Sequence, residues 1–324
     1  MRIGIIGATG VVGEEFIRLI NERNFNFTSI KLFASEKSVG KKYKIKGNEY
    51  IVEIFNKNYL SDINLLFLFV SKELSLEIGK LAHNYNCKII DNSSAFRSSH
   101  PLIIPEISCD KKSNIIANPN CSTILLCMVL YPLYKISKIK KLVVTTFQAV
   151  SGAGINGINE LKEQIKNVND NLEIKPKYFQ SQCVNNVFSH DTDIDMITGN
   201  NEEEDKIINE TRKILGDNNI DISATCVRVP VFRSHCESVN ITFENAIEKD
   251  TIIKTLSNFP GVKILNDDIN NKFPEPIISE NKDDIYVGRI RINKNDDKNI
   301  NLFLSGDQVR KGAALNAIQI AENL

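Results

Sequence analysis

The chain has 324 residues, too many for a single hydrophobic core, so two compact units are expected. Forty Lys and Arg residues balance forty Asp and Glu residues, which excludes the sustained positive field that nucleic acid or an anionic membrane would attract. With 42% hydrophobic and 25% charged residues the composition is that of a globular protein, and a small molecule is the expected partner.

Residues 2–6 (RIGII) read as a buried strand, GATGVVG at 7–13 as a tight turn, and EEFIRLINER as a helix with apolar residues at helical spacing. SIKLFAS and INLLFLFVS read as strands, LSLEIGKLAHNY as an amphipathic helix, and CKIID as a further strand. Strands alternating with helices predict a Rossmann-like, doubly wound parallel sheet. From Lys141 onward the texture changes. KKLVVTTFQAV, SATCVRVPVF, ESVNITFENA, DIYVGRIRIN and KNINLFLSG are strands with fewer helices between them, which predicts an α+β domain with a mixed or antiparallel sheet. RKGAALNAIQIAENL closes the chain as an amphipathic helix able to return to the first domain. The pattern puts the boundary near residue 122.

Seven cysteines, at 87, 109, 121, 127, 183, 226 and 236, form no CxxC pair and are odd in number. That usage predicts reduced thiols in a cytoplasmic protein and no metal site. No leader and no apolar run of spanning length is present, so no targeting or membrane segment is expected.

Gly7, Gly10 and Gly13 lie between a strand and a helix, where bare backbone approaches a pyrophosphate whose charge the helix N-terminus favours. Glycines that only close a βα turn are the bland alternative, which the N-terminal strand–turn–helix context disfavours. After the second strand comes Ser35-Glu36-Lys37-Ser38. Lys37 and Ser35 suit the 2′-phosphate of NADP, Glu36 suits the ribose of NAD, and a solvated turn explains the same residues.

Cys121 follows Asn118-Pro119-Asn120 and opens the apolar helical run ILLCMVLYPLYKI. A thiol at a helix N-terminus feels the positive end of the dipole, which favours the thiolate and makes it a candidate nucleophile. Cys87, Cys127 and Cys226 read as core. Arg228 and His235 flank a proline-containing segment; arginine grips a carboxylate with paired bonds, and histidine titrates near neutrality. His83, His100 and His190 read as structural or surface residues. The acidic run Glu202 to Asp205 opens a helix, where the dipole alone accounts for it.

The motifs GATGVVG, IIDNSSAFR (89–97), PEIS (105–108), NPNCST (118–123), FQAVSGAG (147–154), RVPVFRSH (228–235), VGRIR (287–291) and RKGAALNAIQIAE (310–322) then combine. In this order the chain resembles the aspartate-semialdehyde dehydrogenase family over nearly its whole length. The resemblance implies reductive dephosphorylation of L-4-aspartyl phosphate by NADPH, giving L-aspartate 4-semialdehyde and phosphate, in the biosynthesis of lysine, threonine, methionine and diaminopimelate. It implies an NADP-binding domain at 1–122, completed by helix 309–324, and a catalytic and dimerisation domain at 123–308, in a homodimer or homotetramer. Cys121 becomes the nucleophile, His235 the acid/base and Gln148 an active-site partner. Arg228 falls to the substrate carboxylate, Glu203 to its amino group, Arg97 and Lys206 to phosphate, and Asn120 beside the substrate. Cofactor contacts fall to Gly7, Ala8, Thr9, Gly10, Val11, Val12 and Gly13, to Ser35 and Lys37 at the 2′-phosphate, and to Ser151, Gly152 and Gln308. Two features depart from the family pattern: INLLFLFVSKELS lacks its small Ala-Gly-Gly run, and Asp307-Gln308 replaces the more usual Asp-Asn.

The nearest rival, N-acetyl-γ-glutamyl-phosphate reductase, is expected to carry PGC where this chain has Pro119-Asn120-Cys121. A short-chain reductase would need Tyr131 and Lys135 on a regular helix, which Pro132 opposes. A non-catalytic dinucleotide sensor would have no use for a primed thiol.

Overall fold

The computed structural model describes residues 1–82 and 84–324. His83, read above as structural or surface, lies outside the described residues. The chain forms two compact units, residues 1–120 with 313–324, and residues 121–312.

The first unit opens with β1 (Arg2–Ile6), α1 (Val11–Glu22) and β2 (Ser29–Phe33), followed by the strands β3 (Lys42–Ile45), β4 (Asn48–Glu53) and β5 (Leu65–Leu68). It continues with α2 (Lys72–Ala82), β6 (Lys88–Asp91) and β7 (Ile115–Ala117). The sheet order is β3-β4-β2-β1-β5-β6-β7, parallel except for the β3–β4 pair. Its central strands β1 and β5 are apolar on both faces, as burial under helices on each side requires. Ile3, Ile5, Leu65 and Phe67 join one core with Phe16 of α1, whereas Ile6, Leu66 and Leu68 join a second core with Ile78 of α2. This is the doubly wound parallel arrangement read from the sequence.

The β3–β4 hairpin was not anticipated. Lys46 and Gly47 both have positive φ (47° and 85°), the geometry of a two-residue hairpin turn, but a Lys-Gly pair is a weaker signal for it than Asn-Gly.

The second unit runs α3 (Cys121–Tyr134), β8 (Ile139–Gln148), α4 (Gly154–Asn169), β9 (Phe188–Ser189), α5 (Glu202–Leu215) and β10 (Asp221–Arg228). After these come β11 (His235–Phe243), α6 (Lys249–Ser257), β12 (Val262–Ile264), α7 (Pro276–Ser279), β13 (Ile285–Asn293) and β14 (Asp296–Gly306). The mixed sheet has the order β12-β13-β14-β11-β8-β10-β9, with β8 and β10 parallel and β11 antiparallel to β8. α3 is apolar almost all round and is buried from Ser122 to Leu130. It runs through Pro132, contrary to the expectation that this proline spoils it, because only the last turn forgoes a hydrogen bond there. α5 starts with a capping box, in which Asn201 Oδ1 accepts from the Glu204 N–H and Glu204 Oε2 from the Asn201 N–H, each at 2.9 Å. Gly216 ends it in the left-handed conformation (φ 68°).

The chain closes with a π-helical turn at Arg310–Ala314 and α8 (Leu315–Glu322), which packs into the first unit's core through Leu315 and Ile318. This segment is buried nearly throughout rather than amphipathic, and Asn316 satisfies its amide by donating to Asn118 Oδ1 (2.6 Å) and Ile103 O (2.8 Å).

Candidate active site

The second unit gathers a thiol, two imidazoles, a guanidinium and a carboxylate at the C-terminal ends of β8 and β10 and the N-termini of α3 and α5. Cys121 is the first residue of α3 and is half-buried, so its side chain lies where the helix's free N–H groups concentrate positive potential. Gly312 packs against it: a Cβ at position 312 would stand 3.0 Å from Cys121 Cβ and 3.3 Å from its Cα. Gly312→Ala is therefore expected to displace Cys121 by a few tenths of an ångström, leave the thermal unfolding midpoint nearly unchanged and lower kcat by about ten- to a hundredfold. Steady-state kinetics alongside a melting curve check this.

Gln148, the last residue of β8, is buried. Its Nε2 lies 3.2 Å from Ser122 Oγ, 3.3 Å from Thr146 Oγ1 and 3.2 Å from Glu203 Oε1, sharing its two hydrogens among three acceptors. It thereby links the residue after Cys121 to the first turn of α5. Glu204 of that turn is consumed by the capping box and by accepting from the Cys226 N–H (3.0 Å). Its neighbour Glu203 faces Gln148, and Lys206 Nζ stands 3.5 Å from Glu203 Oε2.

The register pairs Arg228 with Gln148 at the ends of parallel strands. The connection from Arg228 to His235 returns along the 149–151 turn, with Val150 N–H donating to Val231 O (2.9 Å) and Ser151 N–H to Phe232 O (3.2 Å). Ser234 adopts φ 72°, a conformation costing a non-glycine residue on the order of 1 kcal/mol. Two contacts hold it there: Ser234 N–H donates to Gln308 Oε1 (2.8 Å), and Arg233 Nε pairs with the buried Asp307 at 2.6 Å. Gln308 Nε2 also donates to Ser151 Oγ (2.5 Å), so this residue braces the loop on both sides.

The backbone of Ala149 orients both the His235 ring and the Arg228 guanidinium. Its N–H donates to His235 Nδ1 (3.0 Å) and its carbonyl accepts from Arg228 Nη1 (3.0 Å). A backbone N–H can only donate, so Nδ1 is the unprotonated nitrogen and the neutral ring carries its proton on Nε2. Burial, reinforced by the charge of Arg228, pushes the His235 pKa down to about 3. Nε2 is buried and without a partner among the described residues, and so is Arg228 Nε. Exposed Gly152 lies over both side chains: a Cβ there would stand 3.4 Å from Arg228 Nη1 and 3.4 Å from His235 Nε2.

Arg228 is further enclosed by a residue that the sequence reading set aside. His190 Nε2 lies 2.9 Å and Asp191 Oδ1 3.1 Å from Arg228 Nη2, with the Phe179 ring 5.5 Å from the guanidinium carbon. His190 is neither a surface residue nor remote from the site; burial holds its pKa below the usual histidine range. No local motif marks it, because the pairing of β9 with β10 brings it to Arg228 across 38 residues.

In the first unit, Gly7 (φ 85°) turns the chain where a side chain would strike Phe69 O at 2.2 Å, and a Cβ on Gly13 would strike Gly7 O at 2.2 Å. The first bond of the α1 ladder is Glu14 N–H to Gly10 O, so the N–H groups of Val11, Val12 and Gly13 precede it, as an anion cradle requires. Buried Ala8 and half-buried Thr9 complete the turn, and Thr9 Oγ1 donates to Ser38 Oγ at 3.1 Å. Ser35 and Lys37 are exposed beside that contact. Arg97 donates to Asn118 O (3.0 Å) and Asn92 O (2.8 Å), while Asn118 donates to Asn92 Oδ1 (2.7 Å) and Ala313 O (3.0 Å). This network fixes the segment that carries buried Asn120. Among the described residues no cluster of three or more His, Cys, Asp or Glu side chains is arranged to hold a metal, and no helix is long and apolar enough to cross a membrane.

Two domain families match the chain: the semialdehyde dehydrogenase NAD-binding domain over residues 2–115 and the semialdehyde dehydrogenase dimerisation domain over residues 130–311. Fold and site thus define an oxidoreductase of the semialdehyde dehydrogenase class with a nicotinamide-dinucleotide-binding domain. Aspartate-semialdehyde dehydrogenase of Aquifex aeolicus is 41% identical over 100% of this chain and 97% of its own, and that of Campylobacter jejuni 39% over 99% and 96%. Aspartate semialdehyde dehydrogenase II of Vibrio cholerae, solved in complex with ASA, superposes with a TM-score of 0.94 at 35% identity, covering 99% of this chain and 97% of that one. The chain belongs to the aspartate-semialdehyde dehydrogenase family.

Proposed function

We propose that this chain reduces L-4-aspartyl phosphate to L-aspartate 4-semialdehyde and phosphate through a thioester on Cys121, with NADPH as reductant, in the route to lysine, threonine, methionine and diaminopimelate. The observation that carries the reading is Cys121 at the start of α3 beside a Gln148–Glu203 link, in a chain whose relatives share its whole length. The Cys121 thiolate forms a bond to the acyl carbon, and the C–O bond to phosphate breaks, the electron pair leaving with phosphate, which takes up a proton from water. NADPH, when bound, supplies the hydride that converts the thioester carbon to the aldehyde level. The C–S bond then breaks and Cys121 departs again as thiolate. His235 serves as the acid/base: its Nε2–H shares its proton with the oxygen that gains negative charge in each addition and takes it back as the adduct collapses to a carbonyl.

Arg228 takes the substrate α-carboxylate and Glu203 its ammonium group, a division that matches their charges and their placement on neighbouring strand and helix ends. Lys206, Arg97 and Asn120 serve the phosphate and the acyl group. The N-terminal glycine turn holds the pyrophosphate, Ser35 with Lys37 receives the 2′-phosphate, and Ser151, Gly152 and Gln308 are further cofactor contacts. A homodimer or homotetramer is supported by the dimerisation-domain match, and a cytoplasmic location by seven free cysteines.

The assay follows NADP reduction with aspartate semialdehyde and phosphate, with the N-acetylglutamate counterpart as control; turnover of the control alone would refute the substrate. In the same assay NADP is expected to outperform NAD, and Lys37→Glu to shrink that preference by at least about tenfold, because a carboxylate replaces a charge-assisted bond to the 2′-phosphate with repulsion. Equal efficiency of the two cofactors in the wild type would contradict the NADP assignment.

A further inference from the structure

Arg228 is buried to 2% side-chain exposure and clamped from several sides, yet its Nε has no partner among the described residues. Nη1 donates to Ala149 O, Nη2 reaches both His190 and Asp191, and Phe179 covers a face of the guanidinium. Nε is the one nitrogen of Arg228 without a partner among the described residues. His190 itself is rigidly placed, since its N–H donates to Cys226 O (2.9 Å), two residues before Arg228, and its Nδ1 lies 3.4 Å from Thr192 Oγ1. Thr192 Oγ1 in turn accepts from the N–H of Glu203 (3.3 Å). Because guanidinium can only donate, His190 Nε2 must be the acceptor and Nδ1 the protonated nitrogen.

We propose that His190 is a positioning residue for substrate recognition: as a neutral acceptor at Nη2 it fixes the plane of the Arg228 guanidinium, leaving Nε–H for the substrate's α-carboxylate. An uncharged acceptor suits this task. Asp191, on the same Nη2, competes with the incoming carboxylate for the positive charge, whereas His190 holds the fork without neutralising it. The contact also couples Arg228, through Thr192, to the helix start that carries Glu203, so the groups facing the substrate's carboxylate and its ammonium are aligned together. The proposal rests on the reading of Arg228 as the carboxylate's partner.

The test compares His190→Leu, His190→Gln, Arg228→Lys and the wild type in NADP reduction, with aspartate semialdehyde and with 3-aminopropanal, which lacks the α-carboxylate. His190→Leu is expected to raise KM for aspartate semialdehyde by about ten- to a hundredfold, the worth of a hydrogen bond to a charged group, with kcat changed far less. His190→Gln, which retains an acceptor at similar reach, should restore KM to within about threefold, and kcat/KM for 3-aminopropanal should be the same in the wild type and both folded His190 variants. Should His190→Leu fail to fold, His190→Asn, whose side chain falls short of Nη2, takes its place. An unchanged KM in the folded His190 variant while Arg228→Lys raises it would overturn the role of His190 alone. An equal loss toward both substrates, or a Gln variant as impaired as Leu, would mark His190 as merely structural and overturn it too. An unchanged KM in folded Arg228→Lys would remove the reading of Arg228 and the proposal with it.

Discussion

Cys121→Ala is expected to abolish turnover, lowering kcat by about four to six powers of ten, as removal of a covalent nucleophile does in enzymes whose residues act as a unit. No neighbour can substitute. Ser122 Oγ is held by Gln148, and a hydroxyl without an adjacent base is a poor nucleophile at neutral pH. Cys127, two turns along α3, is fully buried, and desolvation raises its thiol pKa far above the ordinary range. Cys121→Ser should fail nearly as badly, because it keeps the shape of the side chain but not the thiolate. Both variants should melt like the wild type, since the site is half-exposed and no core contact is lost. Residual activity above about one part in a thousand in a folded, homogeneous Cys121→Ala preparation would mean that the chemistry has another route.

The second large effect belongs to His235. His235→Asn is expected to cost about two to four powers of ten in kcat, the usual contribution of a positioned acid or base. His235→Gln should lose less, because its amide reaches closer to Nε2 and still donates, and the tautomer fixed by Ala149 makes donation the ring's available function. With its pKa pushed down to about 3, the ring is neutral across the working range, so the kcat profile should show no limb near pH 6.5 that disappears in the Asn variant. Stability carries the opposite signature. The unfolded chain binds a proton on this histidine below about pH 6.5, whereas the folded chain resists it until about pH 3, so folding weakens as pH falls through that window, by up to about 1.4 kcal/mol per pH unit. Denaturant midpoints from pH 7 to 4 should decline less steeply in His235→Asn than in the wild type, with the largely desolvated His190 supplying a remaining slope of the same sign. Parallel declines in the two proteins would show that His235 is not the buried neutral group described.

The parts of the molecule legible in the sequence are those whose chemistry is local. RIGII, the glycine turn and the helix after it form one contiguous unit, and Cys121 declares itself by sitting between an Asn-Pro-Asn turn and an apolar helix. Arg228 and His235 stand out as a charge and a titratable ring at the two ends of the proline-containing segment RVPVFRSH. What stayed hidden depends on pairing across long separations. His190 reads in the sequence as a structural or surface residue, and only the pairing of β9 with β10 brings it to Arg228. Ala149 offers only its backbone, so nothing in its side chain could announce that it orients both Arg228 and His235. Gly312 lies 191 residues from Cys121 in the chain, and its role is the space it leaves. Gln308, expected at the cofactor, also braces Ser151 and Ser234, a function that only the strained turn at Ser234 explains. The final helix misled because its periodic polar residues, such as Asn316, are buried and hydrogen-bonded rather than solvated.

The most direct measurement is intact-protein mass spectrometry, with peptide mapping, after mixing the enzyme with aspartate semialdehyde and NADP while withholding phosphate. Without its acceptor the thioester cannot be discharged to product, so the wild type should gain the mass of one aspartyl acyl group on the peptide containing Cys121, His235→Asn should gain it more slowly, and Cys121→Ala should gain none. An acyl group on any other residue of the wild type, or an adduct on Cys121→Ala, would contradict the assignment of Cys121 as the nucleophile.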